Sequence, residues 1–315
     1  MKVIYVGGHA RSGTTLIGRV LGEAPGAICV GETNYLAARG LLENVECGCG
    51  VPFRECAFWA AVGEEAFGGW GTVDVGRIVE IDGHLGRHPT LPLQLSVAGR
   101  SGLAGAVEEY AAWHDSLYAA IVAVSGAELV VDTSKMPWFA GVLTRAPGVD
   151  LRILHLVRDS RAVAYSWTRS RLRPSPQGEQ NLMTRFRPAE TAMQWMASNA
   201  SFHLLARRAA AYAQVNYESF VSEPGRALGS LGTFAGDSLS LPETRLRDAS
   251  VRLGDHHIFS GNPMRSSSGW TEMRVDDEWQ SKLSPRHSAT VTAITWPLLR
   301  RYGYPISARA LPAPG

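Results

Sequence analysis

The stretch Val3-Ile-Tyr-Val-Gly-Gly-His-Ala-Arg-Ser-Gly-Thr-Thr-Leu-Ile-Gly-Arg-Val-Leu21 decides how the rest of the chain is read. Residues 3–6 form an apolar run of strand length, rich in β-branched and aromatic side chains. A glycine-containing turn follows. Leu16, Val20 and Leu21 then recur on one face of a helix. The predicted order is strand, phosphate loop, helix. From Gly8 the spacing comes close to the nucleotide loop G-x-x-x-x-G-K-[ST], with Gly8, Gly13, Thr14 and Thr15 in register. Thr14 stands where the loop lysine belongs, and a cation comes earlier, at Arg11. Backbone N–H groups and a helix N-terminus still cradle a phosphate there. The lysine that reaches the β- and γ-phosphates is missing. The expected ligand is therefore a phosphate-bearing nucleotide whose reactive end is not a triphosphate.

Three further sites fall at predicted strand ends. In Leu154-His-Leu-Val-Arg158-Asp-Ser-Arg-Ala-Val-Ala-Tyr-Ser166 an apolar run stops at Arg158, and a serine follows eight residues on. An arginine fork binds phosphate through two parallel hydrogen bonds, and a serine on the following helix adds a hydroxyl. The plainer reading pairs Arg158 with Asp159. Glu32 lies 21 residues after Arg11, behind the short apolar run 27–30. A carboxylate there can take a proton from a reacting group, or it can cap the next helix. Lys135 follows the buried run 128–132 and can stabilise charge on a leaving group, or it can be a surface lysine. Strands alternating with helices imply a doubly wound, mostly parallel α/β sheet flanked by helices, with the ligand beyond the strands' carboxyl ends.

The block Arg11-Ser-Gly-Thr-Thr15 resembles the 5′-phosphosulfate loop of sulfotransferases that use 3′-phosphoadenylyl sulfate (PAPS). The likeness is greatest to the tyrosylprotein and carbohydrate branch. Arg158-Asp-Ser-Arg-Ala with Ser166 resembles the 3′-phosphate motif of the same family, and Glu32 stands at the spacing of its catalytic glutamate. The resemblance implies Ser12, Gly13, Thr14 and Thr15 around the 5′-phosphosulfate, Arg158 and Ser166 on the 3′-phosphate, and Glu32, Arg11 and Lys135 in catalysis. Two looser matches follow. Tyr217, in Val215-Asn-Tyr217-Glu-Ser-Phe, matches an element beside the nucleotide. Met264-Arg265-Ser-Ser-Ser268-Gly-Trp270 resembles the loop that closes over PAPS, which implies contacts from Arg265 and Ser268. In that loop the family's lysine, first glycine and aspartate are absent. Ser170 also stands where the family often has an arginine. The product is expected to be adenosine 3′,5′-bisphosphate, with no metal required because the cations handle the charge.

The whole chain of 315 residues is 45% hydrophobic and 19% charged, which suits a folded α/β unit. It reads as a single domain over 1–315, with a cysteine-containing insertion at about 44–104 and a polar lid loop at 173–188. The expected helices include 105–124 and a long alanine-rich one over 189–213; the glycine-rich stretch 68–86 has no clear assignment. A net charge of +2 makes no global case for nucleic acid. The first apolar run is too short for a signal peptide, and the longest, at 117–124, is too short to span a bilayer. A cytoplasmic protein is expected. Cys47, Cys49 and Cys56 fall within ten residues, but a structural zinc site needs four ligands, and no histidine lies nearby in the sequence. They read as buried thiols in a Gly/Pro-bounded loop. The acceptor is expected to be a small-molecule hydroxyl on a sugar, lipid or natural product, and the oligomeric state is open. Two alternatives stand beside this reading: a small-molecule kinase, disfavoured by Thr14, and a non-catalytic nucleotide-binding regulatory protein, which needs no base.

Overall fold

The computed structural model describes residues 1–88, 103–169, 172–173, 181–182, 185–236, 239, 241–242, 245–247 and 249–306. Five strands form a wholly parallel sheet: β1 (Lys2–Gly7), β2 (Ala27–Gly31), β3 (Leu129–Lys135), β4 (Asp150–Val157) and β5 (Ala211–Asn216). Their spatial order is β2-β3-β1-β4-β5. After β1 the chain crosses to one side to build β2 and β3, then to the other for β4 and β5. The direction of winding thus reverses around β1, and a crevice opens beyond its carboxyl end.

Side-chain alternation sorts each strand between two cores. Val3 and Tyr5 of β1, Val130 of β3, and Leu151 and Ile153 of β4 face one layer. That layer is made by helices α4 (Ala104–Ser125), α5 (Pro137–Leu143) and α7 (Pro188–Leu205), and by the cysteine-bearing segment with Phe53 and Trp59. Ile4, Val6, Val131, Leu154 and Leu156 face the opposite layer, with Leu16, Ile17, Val20 and Leu21 of α1 (Thr14–Gly22). Burial on both faces explains why these strands read as near-continuous apolar runs.

Several expectations shift in detail. The alanine-rich run 189–213 is not one helix: α7 ends at Leu205, and residues 211–216 pair with β4, with Gln214 beside His155. Alanine favours a helix weakly, and a free sheet edge outweighs that preference. Within 68–86 a helix, α3 (Val75–Gly86), is present. Asp74 caps it by accepting from the Arg77 amide at 3.0 Å, and Ile78, Ile81 and Leu85 are buried along one face. The strand expected at 128–132 runs on to Lys135. The lid reading of 173–188 falls largely outside the described residues; there, Leu172–Arg173 pairs antiparallel with Asn181–Leu182. Among the described residues no helix is long and apolar enough to cross a membrane.

Candidate active site

The loop after β1 turns sharply. The Ser12 amide donates to the His9 carbonyl at 3.2 Å, and the Gly8 amide to that of Lys135 at 3.2 Å. Gly13 then caps α1 with φ of 94°, a left-handed conformation that suits glycine. A Cβ at Gly13 would meet the Tyr217 ring at 2.4 Å, so that ring packs directly against the loop backbone. No acidic residue lies in the first turn of α1, and no side chain caps it. Its partial positive end therefore faces the crevice.

Polar groups here are left wanting. Seven buried side-chain atoms among the described residues have no hydrogen-bond partner, and three of them belong to this corner: His9 Nε2, Ser12 Oγ and Trp167 Nε1. Burial lowers the His9 pKa to about 4, so its ring is neutral at physiological pH. The Arg11 guanidinium lies over the Trp167 ring, 4.9 Å from its centroid. Arg11 also carries strain, with φ of 74°. Of the three non-glycine residues with positive φ among those described, two are Arg11 and Lys135, the latter at 58°. Such backbone costs about 1–3 kcal/mol and concentrates at functional sites.

Arg158 stands across the loop, just past β4. It is 7% exposed, and its Nη1 donates to the Arg11 carbonyl at 3.1 Å. The guanidinium lies 5.0 Å from the Tyr217 ring centroid, and its Nη2 is 3.5 Å from an Asp276 carboxylate oxygen. Tyr217 thus packs against both the loop and the arginine. Ser166 is buried on α6 (Ser160–Thr168), the helix that Arg158 precedes.

On the other flank, Glu32 follows β2 and Lys135 ends β3. The lysine Nζ donates to Glu32 Oε1, joining side chains only 15% and 6% exposed. A buried network holds this pair from below. Asp132 accepts from Thr33 Oγ1, from Tyr118 OH at 2.7 Å and from the Ser134 amide at 2.6 Å. Burial raises the Asp132 pKa despite these bonds. Because Thr33 neighbours Glu32 and Ser134 neighbours Lys135, one carboxylate positions both strand ends.

The segment 254–267 closes over this flank. Asn262 donates its amide to Thr15 Oγ1 at 3.4 Å. A Cβ on Gly261 would lie 3.8 Å from Glu32 Oε1, which sets the Gly261 backbone against the carboxylate. Buried Arg19 of α1 pins the segment by donating to the carbonyls of Gly254, Arg265 and Ser267. Arg265 is buried too. Its Nη1 donates to the Glu46 carbonyl at 3.0 Å, and burial followed by the nearby Arg39 charge lowers its pKa. Ser268 is exposed.

Arg11, Ser12, Gly13, Thr14, Thr15, Arg158 and Tyr217 are thus gathered at one corner, and Glu32 and Lys135 at the adjacent one. Arg265 faces the cysteine-bearing segment. Sequence reasoning did not find Trp167, Asp276, the Asp132 network or the Gly261–Asn262 backbone. Of these, only Asp132 carried a local signal, as a charged residue in a buried strand. All the cysteines are free; against expectation, Cys49 is exposed and His257 arrives beside the cluster from the far end of the chain. A separate hollow of about 460 Å³ is lined by Asp74, Arg77, Glu109 and Trp113 on α3 and α4, away from the strand ends. Its arginine is already paired with Glu109 and Glu80.

No family model matches this chain, and no curated protein matches it. Among solved structures, the "Sulfotransferase Domain from the Curacin Biosynthetic Pathway" is similar to it, with a TM-score of 0.49 and 16% identity over 98% of this chain and 98% of that one.

Proposed function

We propose that the chain is a sulfotransferase that moves a sulfuryl group from PAPS to the hydroxyl of a small-molecule acceptor. One observation carries this reading. A phosphate loop without its lysine shares a corner with Arg158, through the 3.1 Å bond to the Arg11 carbonyl, while Glu32 and Lys135 meet at the adjacent strand ends. Two anion positions beside a base and a cation match a nucleotide with separate 5′- and 3′-phosphate groups.

In this reading the amides of Ser12, Gly13, Thr14 and Thr15 and the Ser12 hydroxyl hold the 5′-phosphosulfate. Arg158 and Ser166 hold the 3′-phosphate, which displaces Asp276 from the guanidinium. Tyr217 keeps the two positions in register. Arg265 acts through the loop it pins, and Ser268 lies at that loop's exposed end.

The acceptor oxygen attacks sulfur as the bond from sulfur to the 5′-phosphate oxygen breaks. Glu32 takes the acceptor's proton. Lys135 and Arg11 stabilise the charge that gathers on the departing oxygen of adenosine 3′,5′-bisphosphate. The Glu32–Lys135 bond places base and cation next to each other, so proton removal and charge neutralisation occur at one point. The acceptor is a sugar, lipid or natural-product alcohol or phenol.

Thermal unfolding tests the cofactor assignment. A ligand at 100 times its Kd adds about 2.7 kcal/mol, a rise of several degrees at roughly 2–4 °C per kcal/mol. Adenosine 3′,5′-bisphosphate is expected to produce that rise, and ATP with magnesium far less. Equal or greater stabilisation by ATP–magnesium would overturn the reading in favour of a kinase.

A further inference from the structure

The segment leading from β2 towards α2 (Ala57–Phe67) makes a tight knuckle that the reaction does not use. The Cys47 amide donates to the Val51 carbonyl at 2.8 Å, and the Gly50 amide returns to that of Cys47 at 2.9 Å. Glu46 and Pro52 bridge antiparallel across it. Gly48 is required by close approach: a Cβ there would strike the His256 ring at 2.1 Å. The Gly48 amide donates to the Ile258 carbonyl at 2.8 Å, so the knuckle is clipped to the segment 256–260.

Four ligating side chains converge inside this clip. Cys56 Sγ lies 3.3 Å from His257 Nδ1 and 3.6 Å from Cys49 Sγ, and Cys47 Sγ lies 3.8 Å from the same nitrogen. All four ligand atoms fall within 4.8 Å of one another. A tetrahedron with metal–sulfur bonds of about 2.3 Å and a metal–nitrogen bond of about 2.0 Å has edges of roughly 3.5–3.8 Å. The three close pairs, at 3.3, 3.6 and 3.8 Å, lie within about 0.3 Å of those edges. A disulfide does not fit, since sulfurs bonded to each other sit about 2.05 Å apart.

We infer that Cys47, Cys49, Cys56 and His257 bind one zinc ion as a closed structural site. Three thiolates and an imidazole in tetrahedral array suit zinc above other divalent metals. Four protein ligands leave no open position, so the ion holds structure and takes no part in the chemistry. The surroundings fit a metal–thiolate centre. The Phe58 ring stacks on His257 at 4.5 Å and 13°, and Trp59 Nε1 donates to the His257 carbonyl at 2.8 Å, which fixes the ring's attitude. Binding releases the thiol protons and leaves a net charge of −1 on the centre; buried Arg265, bonded to the Glu46 carbonyl, lies beside Cys47 to offset it. Exposed Cys49 leaves one side of the cluster open to solvent, which provides an entry path.

The consequence is long-range. Residues 47–56 and 257 are about 200 apart in sequence, and the ion ties the knuckle to the segment that continues into Gly261 and Asn262 over Glu32 and Thr15. This inference does not depend on the sulfotransferase reading.

Metal analysis of the full chain, purified reduced and without chelator, is the test. One zinc per chain is expected. Cys49→Ser, at an exposed position, and His257→Asn are each expected to lose most of it while keeping the helix content of the parent chain. Cobalt added to chelator-stripped wild-type protein should produce thiolate-to-metal charge transfer and the visible bands of a tetrahedral centre, and zinc should bleach both. That arm needs no variant to fold. Absence of both zinc and cobalt bands in reduced protein, full zinc retention by both variants, or a Cys49–Cys56 disulfide in the isolated chain would each overturn the proposal.

Discussion

Two buried ion pairs stand at the carboxyl end of the sheet, and they are built on opposite plans. Asp159 and Arg161 are joined twice, Nε to Oδ1 at 3.0 Å and Nη2 to Oδ2 at 2.7 Å. Asp159 also accepts the Arg161 amide, and Arg161 donates to the Pro305 carbonyl and stacks over Trp279 at 4.7 Å. Both residues are anchored more than once. Glu32 and Lys135 share one contact, on a lysine whose backbone is strained, at the mouth of the crevice. Under the proposed function, the difference separates scaffold from chemistry. A bidentate pair with further bonds to the backbone holds a helix start in place, whereas a singly bonded pair can exchange its partner for a substrate.

Breaking the Glu32 pair tests that distinction most severely. Glu32→Gln keeps shape and volume but removes the base. A general base contributes about 10²–10⁴-fold in rate, so kcat is expected to fall by that order once an acceptor is in hand. Affinity for adenosine 3′,5′-bisphosphate should stay nearly unchanged. Arg11→Ala should damage both, because in the proposed reaction that side chain meets the phosphosulfate before and during transfer. Full turnover by Glu32→Gln would leave Glu32 as a helix-entry residue and send the search for a base to His9.

The Asp159 pair should fail in the opposite sense. With side chains 6% and 2% exposed, removing one partner strands a buried charge, at a cost of about 3–5 kcal/mol. Asp159→Asn should therefore lower stability by that amount in denaturant unfolding. Adding Arg161→Met, which removes the orphaned charge, should recover part of the loss. A stable Asp159→Asn with weakened nucleotide binding would place this pair in the site and erase the contrast.

Legibility followed contiguity. Strand, loop and helix from Lys2 to Gly22 lie in one run, so a single pattern revealed all three, and Arg158 with its helix was equally local. Glu32 and Lys135 are 103 residues apart, yet each sits at a strand end, and a parallel sheet brings strand ends together. His257 had no such frame. It reaches the cysteines only because the segment 254–267 folds back under Arg19, and a search for ligands near in sequence stops well short of it. Asp276 meets Arg158 by a similar return. At 206–213 alanine composition suggested helix because the open sheet edge beside β4 leaves no mark in that segment. Within 75–86 the glycines hid a helix whose Asp74 cap and Ile78, Ile81, Leu85 spacing were both present.

A third arginine, between those two pairs, sharpens the comparison with the smallest effect. Arg158 and Arg161 are three residues apart at the same helix start, yet only Arg161 is held by a bidentate carboxylate. Arg158 meets the Arg11 carbonyl at 3.1 Å, the Asp276 carbonyl at 3.3 Å and the Asp276 carboxylate at 3.5 Å, all replaceable by phosphate oxygens. Arg158→Ala is expected to weaken adenosine 3′,5′-bisphosphate binding by about 2–3 kcal/mol, the range for a charge-assisted contact. Adenosine 5′-phosphate, which lacks the second phosphate, should lose much less. Calorimetric titration of both nucleotides against wild type and variant gives the difference directly. Equal losses for the two would mean that Arg158 shapes the Arg11 loop through its carbonyl bond, and the 3′-phosphate would then have to be held elsewhere. A loss confined to the bisphosphate places the discriminating contact at this guanidinium. It would also make Asp276 a competitor for it, so that Asp276→Asn binds the bisphosphate more tightly than the parent chain.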